Sequence, residues 1–209
     1  MNTYIRAKAC QLQRQSFIPL RVQGIEGTRS LHSVSENGEL RSGPDGSFVA
    51  MNESYPFRIS GIPADVIDQF RQMPDDELNK HGVVRYIADS KPGFPCRVTL
   101  QDAELGEPVL LLNFEHLPGL TPYRSVGPIF VRESVTETYS VENELPEVLK
   151  ERLLSVRAYD INDMMIDAEV VKGTELKPLI QRMFTNSQTA YLHIHNAHRG
   201  CYSCRVDRI

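Results

Sequence analysis

No stretch of this 209-residue chain approaches the run of about 18 apolar residues that a membrane-spanning helix needs. The amino terminus also lacks the compact apolar core of a secretory signal. A formal net charge of -4 supplies no broad electropositive field, so binding to a phosphate backbone has no global support. Neither a membrane nor a nucleic acid is therefore an expected partner. Cysteine is scarce, with four residues at Cys10, Cys96, Cys201 and Cys204. The expected compartment is the cytoplasm, where these thiols stay mostly reduced, and metal binding, thiol chemistry or plain packing outrank a disulfide framework. There is no P-loop, no dinucleotide-binding glycine pattern, no G-x-S-x-G elbow and no internal repeat.

What is present is enough apolar residue, 41%, for a sizeable core. Residues 1–50 show no sustained periodicity. They are expected to hold little stable structure beyond a short extended piece around Phe17 to Val22, and to be either a disordered tail or an extension upstream of a start at Met51. A single globular domain is expected over residues 51–209. Its pattern begins with a strand at Phe57–Ile62, then a helix behind Pro63, a short helix from Asp75 to Lys80 and a strand at Val83–Ala88. Further strands are expected at Arg97–Leu100, at Gly127–Arg132, at Leu154–Tyr159 and over Met164–Val170. The apolar run Glu107–Glu115 reads as a central strand buried on both faces. Leu176, Leu179, Ile180, Met183 and Phe184 share a helical face before a final hairpin. With more strands than helices and no regular alternation between them, the expected class is α+β around a mostly antiparallel sheet with two or three helices.

The chemistry concentrates at the end of the chain. Tyr191 to Cys204 holds three of the six histidines and two of the four cysteines, the side chains that bind borderline metals and do nucleophilic work near neutral pH. If Thr189–His195 pairs with Cys201–Arg208 across Asn196–Gly200, His195 faces Cys201 and His193 faces Ser203. Tyr191, His193, His195, Cys201, Ser203, Arg205 and Asp207 then share one surface. Leu192, Ile194, Tyr202, Cys204 and Val206 take the core side. His193 and His195, two apart on a strand, can share a cation with Cys201 as third ligand, and Asp207, Glu115 or Cys96 could complete the set. Three ligands and an open position are the pattern of catalytic zinc. A polar cleft of hydrogen-bonded histidines without metal is the plainer alternative. His198 lies in the loop and is expected to be solvated.

Cys201-Tyr-Ser-Cys204 has redox spacing, but in a strand residues three apart point to opposite faces. Cys204 becomes a ligand only in a structural zinc knuckle with a tight turn at Gly200-Cys201. Two further candidates are Cys96, a possible nucleophile at a loop-to-strand junction beside Arg97, and Arg124, suited to anchor an anionic group of a small-molecule substrate. Both positions also fit ordinary packing and surface roles.

Four stretches, Lys91–Val98, Leu110–His116, Pro122–Val131 and His193–Cys204, resemble in the same order the bacterial domain-of-unknown-function family 1203, from about Phe57 to the carboxyl terminus. The resemblance implies a single compact bacterial domain and carries no catalytic role or cofactor. Three functional readings stay open: a metal-dependent or thiol-assisted enzyme, a non-catalytic module with a structural zinc, and an interaction protein without metal.

Overall fold

A computed structural model describes residues 40–42, 48–50 and 54–209. The chain divides into two units, Met1–Met51 and Asn52–Ile209. In the first, β1 (Leu40–Ser42) pairs antiparallel with β2 (Phe48–Ala50). The expected extended piece at Phe17 to Val22 lies outside the described residues.

The second unit runs through β3 (Phe57–Ser60), a 3-10 segment at Ala64–Phe70, α1 (Asp75–Lys80), β4 (Val84–Ile87), β5 (Pro108–Leu117) and β6 (Ser125–Arg132). There follow β7 (Ser140–Glu142), α2 (Glu147–Lys150), β8 (Leu153–Tyr159), β9 (Met165–Lys172), α3 (Leu176–Thr185), β10 (Tyr191–Asn196) and β11 (Tyr202–Arg208). All strand pairs within the two sheets are antiparallel. The fold is thus α+β with mostly antiparallel sheets and a few short helices. No helix among the described residues is long and apolar enough to cross a membrane.

Six strands form one sheet in the order β7-β3-β11-β10-β8-β9, and β4-β5-β6 form another. The amphipathic face of α3 buries Leu176, Leu179, Ile180, Met183 and Phe184 against Leu192, Ile194, Cys204 and Val206 of the central strands. The second core joins Leu110 and Leu112 of β5, Ile129 and Val131 of β6, and the 3-10 residues Ile67 and Phe70. Tyr202 is its single buried member from the six-stranded sheet. One face of β10 and β11 therefore packs on the helix, leaving the other for whatever β5 brings to it.

Two expected elements come out differently. Arg97–Leu100 is a turn, not a strand: Leu100 takes φ +50° and donates its N–H to the Cys96 carbonyl at 3.1 Å. Its backbone is satisfied by several neighbours instead of one ladder. Arg97 N–H donates to Phe130 O, while Ile62 N–H donates to Arg97 O and Tyr139 N–H to Val98 O. The approach is close enough that a Cβ on Gly61 would lie 2.2 Å from the Val98 oxygen, so only glycine fits there. β5 is central to its sheet, but burial on both faces is confined to Val109 and Leu110, and Asn113 is exposed. The short elements β7 and α2 carry no strong periodicity and were not foreseen.

Candidate metal centre

Alternation along β5 sends Leu110, Leu112, Phe114 and His116 to one side, toward the six-stranded sheet. Phe114 and His116 both meet the ring of Tyr202. On β10 the same rule places Tyr191, His193 and His195 on the face away from α3. His116, His193 and His195 thereby converge from two sheets, and one ligand atom from each lies within 4.8 Å of the others. Two of the three sit at pairing irregularities. The β5–β6 register shifts between Glu115 and Leu117, and the β10–β11 register shifts between Ile194 and His195. An extra residue in a strand re-aims its neighbours, which is why bulges gather at functional sites.

His193 and His195 are each 1% exposed, and His116 is half-buried. Each ring nevertheless carries one buried nitrogen without a hydrogen-bond partner among the described residues: Nδ1 of His116, Nδ1 of His193 and Nε2 of His195. Native interiors rarely leave such atoms unmatched, and three together demand an explanation. His195 Nδ1 lies 3.0 Å from the Gly200 carbonyl oxygen. A carbonyl can only accept, so Nδ1 holds the proton and Nε2 keeps a free lone pair. Gly200 takes φ +74° to bring that carbonyl round.

Burial holds all three imidazoles below the usual histidine range. Desolvation is the main cause for each, lowering His116 to about 4, His195 to about 3 and His193 to about 2. Arg157 adds to this at all three, and Arg205 at His193. At neutral pH the rings are therefore uncharged, the form in which imidazole ligates a metal. An aromatic frame surrounds them. Tyr202 stacks on His116 and meets His193 and His195 edge-on, while Tyr159 and Tyr191 flank His193.

The hairpin register differs from the expected one by two residues, pairing His193 with Arg205 and Ile194 with Cys204, and the shift then sets His195 opposite Tyr202. Cys201 falls just before β11, its thiol directed to the Arg199 carbonyl at 3.9 Å, and is not among the converging groups. His116 stands in its place. The same shift turns Tyr202 from the expected core side onto the histidine face. Cys204 is fully buried on the α3 side, as expected, which removes the geometry of a zinc knuckle. The reserve ligands are engaged elsewhere: Asp207 accepts from Arg205 at 2.7 Å and Glu115 from Arg124 at 2.5 Å.

Cys96 is 1% exposed in the second core, its sulfur accepting from Arg132 N–H at 3.4 Å, with no open face for a nucleophile. Arg124 is exposed and already paired with Glu115. Sequence reasoning missed His116 as a site residue, although the stripe Leu110, Leu112, Phe114, His116 was there to extend to its end. It also passed over Arg97, which is buried without any acidic partner among the described residues.

Fold and site together define a two-sheet α+β domain in which three imidazoles, two buried and one half-buried, converge between the sheets. The chain belongs to the family described as a protein of unknown function, DUF1203, which matches residues 93–208. The matched stretch contains all three histidines and Tyr202, and begins later than the resemblance expected from about Phe57. Comparison with curated proteins and with solved structures returned no match.

Proposed function

We propose that this protein holds one divalent transition-metal ion, of which zinc is the first to test, on His116, His193 and His195, and works as a metal-dependent enzyme. The observation that carries the reading is the convergence of three neutral rings, each with a buried nitrogen that no protein group satisfies. Three nitrogen ligands with an open fourth position are the arrangement in which zinc lowers the pKa of a bound water or polarises a substrate oxygen. A zinc ion with bonds of about 2.0–2.1 Å would be held by one nitrogen of each ring. The Gly200 carbonyl acts on His195 as outer partners of metal-bound histidines do, fixing the tautomer and the ring plane. Arg157 and Arg205 favour an anionic fourth ligand, such as hydroxide, over a further cationic group.

The structural-zinc alternative draws less support, because Cys204 faces the helix side and Cys201 stands apart. The test is elemental mass spectrometry on the full chain, purified without chelator, beside His116→Ala, His193→Ala and His195→Ala variants and a Cys201→Ser control. Near-stoichiometric metal that is lost in each histidine variant and retained in the control is expected. Metal-free wild type that also takes up no zinc, cobalt or iron on addition would overturn the proposal.

A further inference from the structure

Beside the hairpin loop lies a cavity of about 480 Å³, within the size range of small-molecule sites. Its wall includes Arg97, Arg152 and Arg199 together with the apolar side chains Leu111, Phe130 and Leu153. Arg97 is the unusual member. It is 3% exposed, and its guanidinium is held by two carbonyl oxygens, Nε by Tyr202 at 2.6 Å and Nη1 by Pro95. Among the described residues Nη2 has no partner and no carboxylate neutralises the charge. Burial lowers its pKa only to about 10, so the group stays cationic at neutral pH.

An arginine taken out of water with no counter-ion is costly unless something else supplies the charge. The rest of the wall offers little of it. Glu151 is an exposed acid, and Arg152 is paired through Nη2 with Asp102 at 2.9 Å. Arg199 is exposed and takes part in no ion pair among the described residues. A concentration of arginine in one cavity of a chain whose net charge is -4 is a local feature and not a consequence of composition. The buried Asn196 Oδ1 also lacks a partner among the described residues, adding an acceptor for a hydroxyl or amine on the ligand.

We infer that this cavity binds a small organic anion, its carboxylate or phosphate on Arg97 and its apolar body against Phe130, Leu111 and Leu153. Guanidinium suits both head groups through its planar fork of donors. The inference is independent of the metal reading, since none of the three histidines lines the cavity.

Cys201 lines the same wall and serves as a reporter. In the full-length protein as purified, alkylation of the Cys201 thiol by iodoacetate is compared with alkylation by neutral iodoacetamide, read by peptide mass spectrometry at that residue. Both form the same S–C bond and expel iodide, with the thiol proton passing to solvent. On an unassisted thiol the neutral reagent is the faster of the two. Here iodoacetate is expected to be faster, with saturation. Benzoate and phenyl phosphate should slow it, and benzylammonium, of similar shape and opposite charge, should not. The stronger protector identifies the head group. Arg97→Gln should abolish the preference, and Leu153→Trp, which adds bulk to the cavity wall and leaves Arg97 in place, should abolish protection even if Arg97→Gln does not fold. Iodoacetamide remaining faster, with no protection by either anion, would overturn the inference, as would protection unchanged in Leu153→Trp. Metal content does not enter any of these readouts.

Discussion

His116 lies flat on Tyr202, ring centroids 4.7 Å apart and planes inclined by 6°, although the two residues belong to different sheets. The stack fixes where the half-buried imidazole can swing, and it bridges the interface on which the candidate centre depends. Replacing the ring by a methyl group in Tyr202→Ala should cost about 3–5 kcal/mol, the usual range for loss of a large buried aromatic. Tyr202→Phe keeps the stack and should retain both stability and metal stoichiometry. Urea denaturation with elemental analysis of both variants checks this, and equal loss of metal in Tyr202→Phe would show that stacking is not what positions His116.

Gly200 joins two demands at one residue, a left-handed backbone at φ +74° and a carbonyl aimed at His195 Nδ1. Gly200→Val should lose about 1–2 kcal/mol through backbone strain. If metal is bound, its affinity should drop about 10–100-fold as His195 loses its orienting partner. Gly200→Asn, which tolerates that backbone region better, should recover part of both. Competition with a chelating dye measures the affinity. A Val variant with unchanged affinity would detach the carbonyl from the site.

The two cysteines of the terminal hairpin should respond oppositely to the same exchange. Cys204→Ser places a hydroxyl among Leu192, Ile194 and Val206 in the helix-side core and should cost about 1–3 kcal/mol. Cys201→Ser, half-buried at the cavity wall, should leave stability nearly unchanged. Thermal unfolding of the pair decides it, and a larger loss for Cys201→Ser would contradict the observed register.

Acid should destabilise the metal-free protein earlier than its carboxylates alone would. Unfolded histidines take up protons from about pH 6.5 downward, whereas in the fold burial delays this to about 4 for His116 and about 3 for His195. Within that window the unfolded state binds more protons, so stability falls as pH falls. The contribution is complete above about pH 6.5 and is progressively lost down to the folded-state values. Urea titrations between about pH 7 and pH 5 should show this slope, and it should be shallower in His116→Asn. Identical slopes in both proteins would count against His116 as a buried neutral ring.

Periodicity made α1, α3 and most strands legible. Asp75–Lys80 was expected and is observed as α1, and the α3 face was read residue by residue. Alternation also separated His193 and His195 from Leu192 and Ile194 correctly. What it could not show is the irregularity opposite His195, because a single added residue leaves no mark in composition yet reverses the side on which Tyr202 emerges. His116 escaped for a different reason. It reaches the other histidines through packing of one sheet on another, and no local spacing encodes that. Arg97 reads as a routine basic residue at a loop end until its burial and lack of an acid partner are seen.

The imidazoles come from strands far apart in the chain, and the candidate ligand set exists only while the two sheets are docked. An ion seated there would act as a clasp, cross-linking β5 to β10 without a covalent bond and shutting the whole intervening segment into a loop. Its binding energy would then be inseparable from the energy of folding. Withdrawing it would loosen the seam between the sheets before either sheet itself came apart.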